Sequence, residues 1–383
     1  MKNKLLAALF VSLFLSACSK KDNDVYKQQS FYPTIQIKRL PDGHGRTNVW
    51  VQGKMCADGF GRLYIGYTSG SAHNASDLVS YTSYSDDKGA TWSPLKLIKP
   101  DNGTNSKGTR CSALGVDSTR KLWAIIQNKG DSFSFGKTYH ELWTSTDYGV
   151  TWTFIDVLGE ITSHKRIIGN FYDMIQIGDK MITSYHSDSG SKVGFLSIDI
   201  ANPKIRAHTD VIDDGGPHDF AEASLCYDSV NNKIIGGLRS ELSAPQLFYM
   251  NTDFTGFEKF TSACTILRSP MPVKIVSDKI VYMGIERNLT GEVALYIGNL
   301  SDLYSKKNTS THKITLGYIV GNPIVGTSNA GVPDVEVMDG LLHFGFSQQR
   351  DDGASSVYYG NCDPLKLTAV NPLTYPNFAT LKP

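Results

Sequence analysis

Charge is scarce and balanced in this chain: charged residues make up 20% of its 383 residues, and 38 basic against 37 acidic side chains leave a net +1. No global field favours a polyanion, so a nucleic-acid partner is not expected and any acidic ligand must be held by local cations. Cysteine is sparse too. Apart from Cys18 there are Cys56, Cys111, Cys226, Cys264 and Cys362, with no Cys-x-x-Cys pair and no paired histidine spacing. That pattern indicates neither a zinc site nor a complete disulfide framework. The doublets Asp213-Asp214 and Asp351-Asp352 lack the repeated oxygen-ligand spacing of a calcium loop, so no metal or cofactor is expected. Sustained apolar spacing at 3.6 residues is missing as well, which leaves no place for a long helix.

One apolar run exists, Leu5 to Leu15, behind Lys2 and Lys4 and ahead of Leu15-Ser16-Ala17-Cys18. It is too short to be a stable membrane span and reads as a signal peptide over residues 1–17. Small residues before a cysteine resemble a lipobox, which makes Cys18 the lipidated first residue of the mature chain. Residues 18–30 are polar and form a tether. The expected location is the cell envelope, with membrane contact through the lipid anchor only.

What the chain does have is 35 glycines and 11% aromatics, a composition suited to many short strands and tight turns. Two octets repeat, Ser85-Asp86-Asp87-Lys88-Gly89-Ala90-Thr91-Trp92 and Ser145-Thr146-Asp147-Tyr148-Gly149-Val150-Thr151-Trp152. In each, the Asp can bond backbone N–H groups of its own turn, the Gly accepts positive φ and the Trp packs the hairpin. Degraded copies follow, so that aspartates 87, 147, 199, 253, 302 and 363 are separated by 60, 52, 54, 49 and 61 residues. A unit of that length holding four strands is one propeller blade. The spacing predicts an all-β, six-bladed propeller of four-stranded antiparallel blades over residues 31–383. Seven blades also fit the length, eight do not, and a β-sandwich with coincidental turns is the blander alternative. Alternation and β-branching place the second strand of each blade at 61–67, 121–127, 180–185, 233–238, 279–285 and 340–346.

Propellers work at one mouth of the central channel. Glu222 begins an inner strand and Arg239 ends the next, and antiparallel pairing brings such positions to the same mouth. Arg287, in Glu286-Arg287-Asn288-Leu289-Thr290, has the same station one blade on. Lys54, Arg110, Asp173, Asp334, Gln348 and Arg350 are further polar mouth candidates, for substrate contact or ion pairing. Trp50, Phe171, Tyr172 and Tyr358 are of the type that stacks on sugar faces.

Together with the twin octets, the Glu-x(16)-Arg spacing and the Arg-Asn-Leu-Thr stretch resemble the sialidase superfamily over essentially the whole mature chain. The resemblance implies that Arg239 and Arg287 grip a sialic acid carboxylate while Glu222 lies beneath the ring. Planar guanidinium forks suit that carboxylate. Two departures stand out. Where exo-sialidases carry a first-blade arginine this chain has Trp50-Val51-Gln52-Gly53-Lys54, and where they carry a tyrosine nucleophile it has Gly331-Val332-Pro333-Asp334-Val335. Without a nucleophile the covalent route is closed. The pattern is more similar to bacteriophage endosialidases, whose first-blade histidine is matched by His73. The resemblance then implies one-step inverting cleavage of polysialic acid or another sialic acid-containing or acidic glycan, with Glu222 and His73 as the acid–base pair in either order. The competing expectation is a sialoglycan-binding propeller that has lost catalysis.

Overall fold

The computed structural model describes residues 36–40, 50–71, 77–99, 108–128, 139–158, 168–187, 192–213, 220–240, 243–262, 270–285, 292–305, 312–318, 333–349 and 355–367. Strand β1 (Gln36–Arg39) comes first in sequence but is the outermost strand of the last blade. Blade 1 contains β2 (Trp50–Ala57), β3 (Leu63–Gly70), β4 (Val79–Ser85) and β5 (Lys96–Leu97). Blade 2 contains β6 (Thr109–Val116), β7 (Leu122–Asn128), β8 (Tyr139–Ser145) and β9 (Thr153–Leu158). Blade 3 contains β10 (Ile168–Ile177), β11 (Lys180–Ser187), β12 (Lys192–Asp199) and β13 (Arg206–Asp213). In blade 4, β14 (Phe220–Ala223) and β15 (Cys226–Asp228) share the inner position and are followed by β16 (Lys233–Ser240), β17 (Gln246–Asn251) and β18 (Glu258–Thr261). Blade 5 contains β19 (Val273–Val276), β20 (Lys279–Ile285), β21 (Glu292–Asn299) and β22 (His312–Tyr318), with one short helix, α1 (Leu300–Tyr304), between the last two. Blade 6 contains β23 (Asp334–Met338), β24 (Leu341–Gln349) and β25 (Ser355–Cys362), completed by β1.

Six antiparallel sheets in a ring are therefore what the aspartate spacing predicts, and each expected second strand is the second strand of its blade. The ring is held by six apolar cores, one between each pair of neighbouring blades. A single blade cannot bury both faces, so the stacking of each on the next drives closure. Closure also uses hydrogen bonds: β1 pairs with β25, and Asp334 Oδ2 of blade 6 accepts from Met55 N of blade 1 at 2.7 Å.

The two octets fold alike. Asp87 Oδ1 accepts from Thr91 N at 2.7 Å and from Ser85 Oγ at 2.8 Å, and Asp147 Oδ1 does the same with Thr151 N and Ser145 Oγ, both at 2.8 Å. Gly89 sits at φ +83°, and a Cβ there would lie 2.1 Å from the Tyr359 ring, so no side chain fits. Tyr359 Oη donates to Lys88 O at 2.6 Å, fixing this turn against blade 6. The fifth repeat departs from the pattern, with Asp302 in the first turn of α1. Cys56, Cys111, Cys226 and Cys362 are free and buried, as small apolar residues.

All these repeat turns lie on one face of the ring, where inner strands end; we call it the turn face. Inner strands begin, and second strands end, on the opposite site face: Trp50 pairs with Gly70, Thr109 with Asn128 and Phe220 with Ser240.

Candidate functional site

Ordinary strand alternation does not place Glu222 in the mouth; a β-bulge does. On β14, Ala221 pairs with Arg239 and Ala223 with Leu238, so Glu222 is the extra residue, turned out of the ladder. Its carboxylate forms an ion pair with the Arg239 guanidinium, both side chains mostly buried at 11% and 17% exposure. Similar irregularities occur on β10 between Phe171 and Met174, and on β6 between Cys111 and Ala113. Tyr172 and Asp173 are thereby displaced from regular pairing.

Lys54 lies deeper, midway along β2 and 2% exposed, with its Nζ 3.1 Å from the centroid of the Tyr172 ring. That Nζ donates a hydrogen bond to none of the described groups. Tyr172 Oη in turn donates to Pro333 O at 2.9 Å, which fixes the ring under the ammonium. Two carboxylates flank this floor and are already engaged. Asp173 accepts from Leu225 N at 2.9 Å and Met174 N at 2.8 Å; Asp334 accepts from Met55 N and, at 2.9 Å, from Val335 N. Arg110, also buried, stands near enough to Glu222 for their charges to interact.

The electrostatics follow from crowding charged groups into a buried channel. Burial alone raises the Glu222 carboxyl, but the Arg239 charge, the His186 charge and the Arg239 hydrogen bond outweigh it and hold the group at about 2. Burial lowers the Lys54 ammonium despite Asp334, Glu222 and Asp173 around it. Burial lowers Arg110 to about 10, against the pull of Glu222. Asp334 goes the other way: burial, with Asp173 as a like charge, pushes it to about 7 although Lys54 opposes the shift. Three basic side chains, Arg239, Lys54 and Arg110, thus share this mouth with the carboxyl groups of Glu222, Asp173 and Asp334.

No protein-family profile matches this chain, and no curated protein matches it by sequence. Solved structures do match. A phage phi92 endosialidase superposes over 90% of this chain and 71% of its own, with a TM-score of 0.68 at 14% identity. A Dyadobacter fermentans protein of unknown function covers 86% of this chain and 99% of its own, with a TM-score of 0.66 at 13% identity. The intramolecular trans-sialidase of Ruminococcus gnavus gives 84%, 95% and 0.65 at 12% identity. The fold is that of the sialidase propellers. At these identities the likeness is one of fold, and the chemistry rests on the residues of this chain.

Within this propeller, Glu222, Arg239, Lys54, Arg110, Asp173 and Asp334 all lie on inner strands or at the site-face end of a second strand. Gln348 lies on β24, and its side chain is outside the description; Cys18, His73, Arg287 and Arg350 lie outside the described residues. Of the expected sugar-stacking aromatics, Trp50 has its side chain outside the described ones, and the other three need correction. Phe171 and Tyr358 are fully buried between blades, against His140 and Phe346 respectively, and Tyr172 lies beneath Lys54 at 1% exposure, so none of the three offers a face to a ligand. Sequence reasoning passed over His186. It is the seventh residue of β11, as Arg239 is the seventh of β16, so the station shared by second strands was the available signal.

At the far end of the channel, inner strands from all six blades line a cavity of about 230 Å³. Lys274 and Glu336 form a buried ion pair there at 3.2 Å. Glu336 and Asp173 keep Lys274 charged, raising its ammonium against the pull of burial.

Proposed function

We propose that this chain is a lipid-anchored glycoside hydrolase of the cell envelope that cleaves sialic acid-containing glycans, polysialic acid above all, in one inverting step. The observation that carries the reading is Glu222, aimed into the mouth by its bulge and paired with Arg239 beside Lys54 and Arg110. The fold shared with an endosialidase and a trans-sialidase supports the substrate class. Anchorage rests on the lipobox-like Leu15-Ser16-Ala17-Cys18.

A carboxylate held at about 2 is ionised at neutral pH, which excludes it as the proton donor and leaves it the water-facing role. Glu222 takes a proton from water as the water oxygen bonds to the anomeric carbon. His73 is then the group that protonates the departing glycosidic oxygen, and the configuration inverts. Arg239 meets Glu222 through one N–H of its guanidinium, and with Arg287 it supplies the planar fork that suits the substrate carboxylate. The Lys54 and Arg110 charges make the floor attractive to that carboxylate.

Incubation with polysialic acid and with an aryl sialoside, followed by NMR of the first-formed anomer, tests the reading. Cleavage of the polymer to inverted product is expected, and absence of both turnover and acidic-glycan binding overturns it. The competing reading, glycan binding without catalysis, draws on the same ion pair, since Arg239 already occupies Glu222. Affinity for sialosides that Glu222→Gln leaves intact, with no turnover by either form, would favour it.

A further inference from the structure

The chain enters the propeller from the turn face. Gln36, the first residue of β1, pairs with Asn361 near the end of β25, whereas Arg39 pairs with Tyr358 toward the site face. Asn361 Nδ2 donates to Lys88 O in the first repeat turn at 3.2 Å. Two residues away, Asp86 holds Arg62 by two hydrogen bonds, at 2.5 and 2.9 Å. The Arg62 guanidinium lies 4.2 Å from the Tyr148 ring centroid, and Arg120 lies 4.9 Å from the same ring and 5.0 Å from that of Phe60. A continuous set of contacts therefore runs from the entry point of the chain to an aromatic–guanidinium patch across blades 1 and 2.

That patch is unusual for a soluble surface. Phe60 is 68% exposed, Val150 46% and Tyr148 38%, and Tyr148 is held outward at φ +65°. Single exposed apolar residues need no explanation, but Tyr148 and Phe60 lie against the Arg62 and Arg120 guanidiniums, and Val150 stands two residues from Tyr148 in the same turn. Asp86 and Asp58 already neutralise Arg62 and Arg120. The patch is therefore amphipathic and close to neutral, the chemistry of side chains that sit at the headgroup level of a bilayer. Ile205, Val230 and Leu365 continue exposed apolar tips around the same face, at the turns of blades 3, 4 and 6. The span from Cys18 to Gln36 reaches at most about 60 Å, so an anchored propeller stays within reach of its membrane.

We propose that the turn face, through Phe60, Tyr148 and Val150, docks on the phospholipid headgroup region, leaving the Glu222 mouth facing away from the membrane. Strands of eight residues set that mouth roughly 25 Å above the docked face, open to a polymer arriving from outside. The proposal rests on the reading of Cys18 as the lipid anchor and is independent of catalysis. Because the guanidiniums are already paired, docking depends little on salt.

The test uses the full mature lipidated chain in phosphatidylethanolamine–phosphatidylglycerol vesicles with and without acyl-brominated lipid. Phe60→Trp places a reporter in the patch, and Tyr139→Trp, at the site-face start of β8, serves as its counterpart. Emission added by Phe60→Trp is expected to fall at least twofold in brominated vesicles at both low and high salt, with that of Tyr139→Trp unchanged. Equal quenching of the two, or none at position 60, overturns the docked orientation, and a dimer seen by sedimentation in that case assigns the patch to a second copy. A chain that fails to float with the vesicles overturns anchoring and docking together, whatever the result with sialosides.

Discussion

Glu222 faces Arg239 because a single residue is inserted into β14: Ala221 is the partner of Arg239 across the ladder, and the bulge swings the next side chain over it. Four predictions follow from this pair and from the turns and floor around it.

Glu222→Gln keeps the shape of the side chain and removes its basicity. Loss of a positioned base is expected to slow polysialic acid cleavage about 10²–10⁴-fold while sialoside affinity stays within a few-fold. Reducing-end release and calorimetric titration read the two separately. Because the carboxylate is held at about 2, activity that depends on its ionised form is expected to be flat from pH 8 down to 4. An acid limb near pH 6 assigned to this group by its loss in Glu222→Gln would contradict the role.

Removing Arg239 leaves a carboxylate buried without its partner. Arg239→Ala is expected to cost about 3–5 kcal/mol at pH 7, and Arg239→Lys less. The folded carboxyl lies below its ordinary value, so the pair stabilises the fold above about pH 4.5, and this contribution fades as pH falls toward 2. Denaturant titrations of parent and Arg239→Ala are therefore expected to converge over that acid range.

Lys54→Met separates binding from folding. A buried ammonium that donates a hydrogen bond to none of the described groups is costly, while its position over Tyr172 returns part of that cost. Stability is expected to remain within about 1 kcal/mol of the parent, since the two effects oppose each other. Sialoside affinity is expected to fall about tenfold, because a desolvated cation leaves the floor. Unchanged affinity would remove Lys54 from the site.

Asp147→Ala addresses the turns. It deletes the acceptor of Thr151 N, Thr151 Oγ1 and Ser145 Oγ in one step. A loss of about 1–2 kcal/mol, comparable to deleting a helix cap, is expected in thermal unfolding. Cleavage rates at 25 °C are expected to stay unchanged, because this turn lies on the face opposite Glu222.

The sequence by itself determined the architecture. Glycine and aspartate at fixed turn positions dictate hairpins, and their recurrence at blade-length intervals dictates six four-stranded units that bury their faces only on one another. It also brought Glu222 and Arg239 to one mouth, because antiparallel pairing puts a strand start beside the next strand's end, while the contact between them waited on the bulge. Only the tertiary structure decided what each polar side chain of the mouth does. Asp173 and Asp334 are spent on backbone N–H groups of neighbouring blades, and Phe171 and Tyr358 fill cores between blades. His186 and Arg110 come near Glu222 from separate blades. Pattern reasoning counts alternation along one strand, whereas bulges shift that alternation by one residue and contacts across the channel join strands 50 or more residues apart. Those two effects depend on the closed ring.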